Sequence, residues 1–226
     1  EAKPMDVKSI SGTELVFSWP RVQLAANFFG RRAYVYAGDI PPRSEYSGAI
    51  GLSIKRKDWR HIRHDMTVLP LPIKTNSVDL FQSEDVFEHI EYERLKAVVH
   101  DIHRVLRKGG VFRLSVPDYR SDVLLQRVQR DTLGNIVFDP GGRGYLTDEG
   151  VKGGGHVWFP TIESVKALFE GVPFETVEAL HFYDEDGSPH TNRIDYSRGF
   201  IKRTPDHDPR VSEPRRPLSV VVDATK

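Results

Sequence analysis

The chain has 226 residues, with 32 Lys plus Arg set against 32 Asp plus Glu, and no cysteine. That length buries a full core for one sizeable domain. The lack of cysteine removes disulfides, thiolate nucleophiles and Cys-based zinc sites, and the balanced charge argues against a broad nucleic-acid groove, which shows as a basic excess.

No apolar run reaches the roughly 18 residues that span a bilayer, and Glu1-Ala2-Lys3-Pro4 lacks the basic-then-apolar pattern of a secretory signal. The reading is a soluble, cytoplasmic protein with no membrane partner; oligomeric state stays open. Residues 1–32, with short apolar runs such as Leu15-Val16-Phe17 and Val22-Gln23-Leu24, are set apart as an N-terminal extension. Residues 33–226 are read as a single domain.

In chain order, Ala33-Tyr34-Val35-Tyr36 is rich in β-formers and stops at Gly38, which predicts a strand. Ala49 to Ile54 and His61 to Met66 are two more strand candidates, and Ser77 to Ser83 reads as a buried fourth. Leu95, Val98, Val99, Ile102, Val105 and Leu106 fall on one face of a helix. Arg104, Arg107 and Lys108 load its last turn with positive charge, and Gly109-Gly110 supplies a stop. Val111 to Val116 is then a strand parallel to the fourth, since a strand–helix–strand unit joins parallel neighbours.

Residues 119–155 read as a lid-like insertion, with a short helix near Ser121–Arg130 and a loop rich in glycine. Thr161 to Glu170 predicts a helix capped by Thr161, with Ser164 nearby. Phe174 to Tyr183, Gly199 to Arg203 and Leu218 to Asp223 complete the strand candidates.

The informative block runs from Leu69 to Asp118. It holds Leu-Pro-Leu-Pro-Ile-Lys-Thr-Asn-Ser-Val-Asp-Leu, Ser83-Glu84-Asp85-Val86-Phe87-Glu88-His89-Ile90, Arg104-Val105-Leu106-Arg107-Lys108-Gly109-Gly110 and Val116-Pro117-Asp118. This order of elements resembles the class I S-adenosylmethionine (SAM)-dependent methyltransferases. Gly155-His156-Val157-Trp158-Phe159, Phe182 to Gly187, Thr204 to Arg210 and Val220 to Asp223 look like a predicted-methyltransferase subfamily. The resemblance implies an α/β, Rossmann-like fold, with a mostly parallel seven-stranded sheet and helices on both faces. It also implies SAM as cofactor and a small-molecule or glycan-type acceptor.

The resemblance further implies site roles, since cofactors of open α/β sheets lie across the carboxyl ends of the strands. Ala37, Gly38 and Asp39 would form the first-strand turn beside the methionine part of SAM. Ser53 would stand near the ribose. Asp65, with Met66, would end the third strand and accept from the adenine amino group. Ser83 and Glu84 would sit at the reactive end. Glu84, His89 and His156 are the candidate proton acceptors.

Two departures stand out: only Gly38 occupies the usually glycine-rich turn, and Ser53 stands where the family has a ribose-binding acid. A rival alignment places the first strand at Val22-Gln23-Leu24, with Ala25-Ala26-Asn27 as its turn. A non-catalytic Rossmann-like scaffold is the alternative function, and it predicts a collapsed crevice. A nucleic-acid methyltransferase would show a basic surface beside that crevice.

Bland readings stand beside the sharp ones. Gly38-Asp39 also suits a plain turn, and Asp65 a turn or cap. His89 also reads as a half-buried structural histidine, and His156 as loop filler. His100 and His103 read as surface residues, Lys55-Arg56-Lys57 as a solvated loop, and Asp206-His207-Asp208 as a turn before Pro209. No metal-ligand set is assigned.

Overall fold

The computed structural model describes residues 33–226. The proposed extension 1–32 and the rival first strand lie outside the described residues. Among those described, one eight-stranded sheet organises the chain. In sequence its strands are β1 (Tyr34–Ala37), β2 (Ala49–Ser53), β3 (His61–Arg63), β4 (Val78–Glu84), β5 (Leu106–Pro117), β10 (Thr176–Tyr183), β11 (Pro189–Thr191) and β12 (Ser219–Thr225). Two small antiparallel hairpins intervene: β6 (Gln129–Arg130) with β7 (Ile136–Phe138), and β8 (Tyr145–Thr147) with β9 (Gly150–Lys152).

Spatially the order is β11-β10-β12-β5-β4-β1-β2-β3. The pairs β3–β2, β2–β1, β1–β4 and β4–β5 are parallel. β12 runs antiparallel between β5 and β10, so β10 points the same way as the first five strands. The sheet is mostly parallel, as expected, with β11 adding an eighth strand at the edge.

Side chains alternate across the sheet. From β1, Val35 and Ala37 enter the large core, while Tyr34 and Tyr36 enter a second cluster on the opposite face. The first face is covered by α1 (Tyr92–Val105) and α3 (Ile162–Ala167). α1 buries Leu95, Val98, Val99, Ile102 and Val105, five of the six residues on its predicted stripe. The sixth, buried Leu106, already opens β5. At α3, the Thr161 amide donates to Ser164 Oγ at 3.0 Å, which satisfies an otherwise orphaned donor. Among the described residues the second face is closed by irregular segments carrying Ile40, Tyr46 and Phe200.

Three local expectations are corrected. Gly109-Gly110 lies inside β5 and is not the helix stop. A Cβ on Gly110 would sit 2.8 Å from both Arg107 O and Val78 O, so close backbone approach demands glycine there. The helix foreseen near Ser121–Arg130 shrinks to α2 (Asp122–Leu125), because Gln129 and Arg130 are drawn into the first hairpin. Residues 199–203 form no strand, because their backbone groups serve side chains. Gly199 O accepts from Arg113, Phe200 O from Gln82 Nε2, and the Lys202 amide donates to Glu84.

Candidate functional site

The carboxyl ends of β1 to β4 open onto one cleft of about 540 Å³. β1 delivers Gly38 and Asp39; β2 delivers Leu52, Ser53, Ile54 and Lys55; the turn after β3 delivers His64 to Thr67; and the corner after β4 delivers Asp85 and Val86. His89, Ile90, Glu91 and Arg94 continue the floor, and Arg143, Gly153 and Gly154 close it from the insertion.

The β1 turn is fixed by its neighbours. Gly38 has φ +89°, where a Cβ is strained and would also stand 3.3 Å from Val86 Cγ2. Its amide donates to Leu52 O at 2.7 Å. His61 braces the turn from beneath: its Nε2 accepts from the Ile40 amide at 3.1 Å, and its Nδ1 lies 2.9 Å from Asp58.

Asp39 and Ser53 are joined, with the Ser53 hydroxyl donating to Asp39 Oδ1. Ser53 Oγ in turn accepts from the amides of Lys55 (3.0 Å) and Arg56 (2.8 Å). A carboxylate therefore stands beside the end of β2 after all, carried by the adjacent strand. Asp65 Oδ1 accepts from the amide and hydroxyl of Thr67, both at 2.9 Å. It is a turn residue that also lines the cleft wall.

Of the expected site residues, Gly38, Asp39, Ser53, Asp65, Met66 and His89 line this cleft, whereas Ala37, Ser83, Glu84 and His156 do not. Ala37 and Ser83 are buried within their strands. Glu84 is turned to the opposite side, where its carboxylate accepts from Tyr46 Oη at 2.6 Å and from the Lys202 amide at 2.8 Å. Burial, then the neighbouring Asp85, raises its pKa. The residue at the corner is instead Asp85, whose φ of +56° swings the chain after β4. Asp85 Oδ2 meets Arg203 Nε at 3.0 Å, and burial raises its pKa against that pairing.

Behind the corner lies a buried polar cluster. The short turn Phe87–His89 is clipped to residues 155–158: the Val157 amide donates to Glu88 O at 2.9 Å, and Trp158 Nε1 to Phe87 O at 2.8 Å. Glu88 is fully buried, and neither carboxylate oxygen has a hydrogen-bond partner among the described residues. Burial raises its pKa well above the ordinary value. His89 Nδ1 lies 3.1 Å from Gly155 O. His156 is also buried: its Nδ1 contacts Tyr119 Oη, which donates to Asp139 Oδ2 at 2.7 Å. Burial, then the nearby His89, lowers the His156 pKa to about 4 and keeps the ring neutral.

Sequence reasoning missed Asp85, Val86, Ile90, Arg94 and Arg143. Asp85 stood one residue beyond the expected corner; a one-residue change in where β4 ends exchanges the cleft-facing side chain for a buried one.

Residues 23–114 match the family model described as "Methyltransferase domain". That match spans 92 of the chain's 226 residues. The match ends within β5 and takes in the whole β1–β4 rim of the cleft. Its fold is shared with a SAM-dependent methyltransferase from Archaeoglobus fulgidus (TM-score 0.51, 14% identity, covering 92% of this chain and 93% of that one). It is shared also with a SAM-dependent methyltransferase from Methanosarcina mazei (TM-score 0.50, 11% identity, 85% and 91%). No curated protein matches the chain.

The matched family model and the shared fold support SAM-dependent methyl transfer as the activity and SAM as the cofactor. The methyltransferase cleft suits that cofactor. Leu52, Ile54, Met66, Val86 and Ile90 give apolar walls, Asp39 and Asp65 give acceptors, and Gly38 leaves room where a side chain would intrude. Among the described residues, no helix is long and apolar enough to cross a membrane.

Proposed function

We propose that this methyltransferase acts on a small polar, glycan-type acceptor bound between the β4 corner and the arm formed by Arg143, Gly153 and Gly154. The observation that carries the reading is the open cleft across four parallel strand ends, with Asp85 and His89 at the far side from β2. SAM, when bound, supplies a sulfonium methyl group as electrophile. The chain's part is to position the two reactants, exclude water and take up a proton.

Asp39, oriented by Ser53, is assigned the ribose hydroxyls in place of an acid on β2. Asp65 and Met66 flank the base. Asp85 is assigned the acceptor's proton: one of its carboxylate oxygens is held by Arg203, while Oδ1 is buried with no hydrogen-bond partner among the described residues. Residues 33–226 act as one domain, and the insertion at 119–155 serves as its lid.

An open cleft with Asp65 on its wall weighs against a collapsed scaffold, although Glu84 lies elsewhere. The lining also carries three cations (Lys55, Arg94, Arg143) against four carboxylates (Asp39, Asp65, Asp85, Glu91), which gives little support to a nucleic-acid acceptor.

Calorimetry with S-adenosylhomocysteine tests the donor site. Asp39→Asn is expected to weaken binding at least tenfold and Ser53→Ala by less. Equal affinity in wild type and Asp39→Asn rejects the ribose assignment. Asp85→Asn is expected to retain donor affinity while losing transfer of labelled methyl into a small-molecule extract.

A further inference from the structure

We propose that Glu88, His89 and His156 form a binding site for a first-row divalent cation, zinc or a neighbouring transition metal, beside the methyltransferase cleft. One donor atom from each residue lies within 4.8 Å of those from the other two. Glu88 Oε1 and His156 Nε2 stand 3.7 Å apart. Two ligands bound to one zinc ion at about 2.1 Å stand roughly 3.4 Å apart in tetrahedral geometry, so this pair needs little contraction and the half-buried His89 moves in by up to about 1.4 Å.

Three observations point to a cation rather than to packing alone. First, Glu88 buries a carboxylate with both oxygens lacking hydrogen bonds among the described residues. A buried polar group without a partner is costly, and a bound cation satisfies it.

Second, both histidines are oriented by outer partners. Gly155 O takes the Nδ1 hydrogen of His89. Tyr119 Oη, having donated to Asp139, is left to accept from His156 Nδ1. Each ring therefore keeps its Nε2 lone pair for a ligand, which is how protein groups around a metal fix its histidines. Third, His156 is wedged against Gly142, where a Cβ would come within 2.6 Å of the ring. The close fit holds its orientation.

Two imidazoles and one carboxylate are a borderline donor set that suits zinc, iron, cobalt or manganese better than magnesium or calcium. His89 belongs both to this cluster and to the cleft lining, so coordination positions left open by the protein face the acceptor side. Resting on the methyltransferase reading, the role that follows is to hold an oxygen-rich, chelating acceptor at the reactive end. Neither histidine has sequence spacing that reveals the site: His89 and His156 are 67 residues apart and are brought together by the clip between Phe87–Glu88 and residues 157–158 and by the His89–Gly155 hydrogen bond.

The test is titration of the metal-stripped full chain with Co²⁺ alone, followed by absorption spectroscopy and displacement by Zn²⁺. One equivalent with ligand-field bands is expected, together with at least tenfold weaker binding in Glu88→Gln and in His89→Gln. His89 is only half-buried, so the second variant stands in should the first fail to fold. No Co²⁺ uptake by wild type at millimolar metal overturns the proposal, as does unchanged affinity in a folded variant. S-adenosylhomocysteine calorimetry on the same samples separates this failure from that of the donor site. Donor binding without cobalt removes the metal site alone; cobalt binding without donor leaves the site and removes its assigned role.

Discussion

Arg113 is the largest fully buried side chain among the described residues, and its charge is met on all sides. Nε and Nη2 donate to Asp223 at 2.7 and 2.6 Å, and Nη1 donates to Asp195 O at 2.9 Å and to Gly199 O. The pair joins β5 to β12 across the sheet, where Arg113 and Asp223 are direct partners. A buried ion pair of this kind has a large desolvation cost, so removing one member leaves the other uncompensated. Asp223→Ala is expected to lower stability by roughly 3–5 kcal/mol, read as a shift in the urea midpoint at constant slope. A loss below 1 kcal/mol would mean that Arg113 finds a substitute anion or water.

At the level of elements, α1 and the strands around it were legible because their pattern is local. Apolar residues at helical spacing marked the buried face of α1, Val78, Leu80 and Phe81 marked β4, and the stretch from Val111 to Val116 marked β5. Ile102→Ala, in the middle of that face and fully buried, is expected to cost roughly 2–5 kcal/mol, measured by chemical denaturation with S-adenosylhomocysteine absent. A cost under 1 kcal/mol would show that α1 contributes little to the core.

The β1–β3 rim of the cleft was legible for the same reason: Gly38, Asp39, Ser53 and Asp65 line it because they stand where the first three strands stop. The far side was not. Asp85 depends on a positive φ at one residue, and the Glu88–His156 contact depends on a long-range clip with no sequence signature. The strand expected at 199–203 failed for a related reason, since its backbone carbonyls are taken by side chains from β4 and β5.

At the scale of the whole molecule, the neutral sequence hides a pH dependence. His181, on β10, is buried, and its Nε2 lies 3.0 Å from Asn192 O, while Nδ1 has no partner among the described residues. Burial is the largest influence on its pKa. The Asn192 carbonyl opposes it, Arg215 and Asp206 add smaller opposite effects, and the pKa falls from 6.5 to about 4. Unfolding therefore takes up a proton below about pH 6.5. The contribution of His181 to stability is complete above that pH and is lost as the pH drops toward 4, a difference of roughly 3 kcal/mol when fully titrated. Denaturation midpoints for wild type and His181→Gln are expected to converge across this window. A constant gap between them would show that the ring accepts its second proton inside the fold.

The carbonyl of Gly155 orients His89, and the two preceding glycines wall the cleft. In the proposed lid role of residues 119–155, the entrance is thereby coupled to the position of His89. If that segment lifts to admit or release a nucleoside, the imidazole loses its anchor at the same moment. On that proposal the corner around His89 is assembled only while the doorway is shut, so an open, donor-loaded protein has little means of losing its methyl group to water.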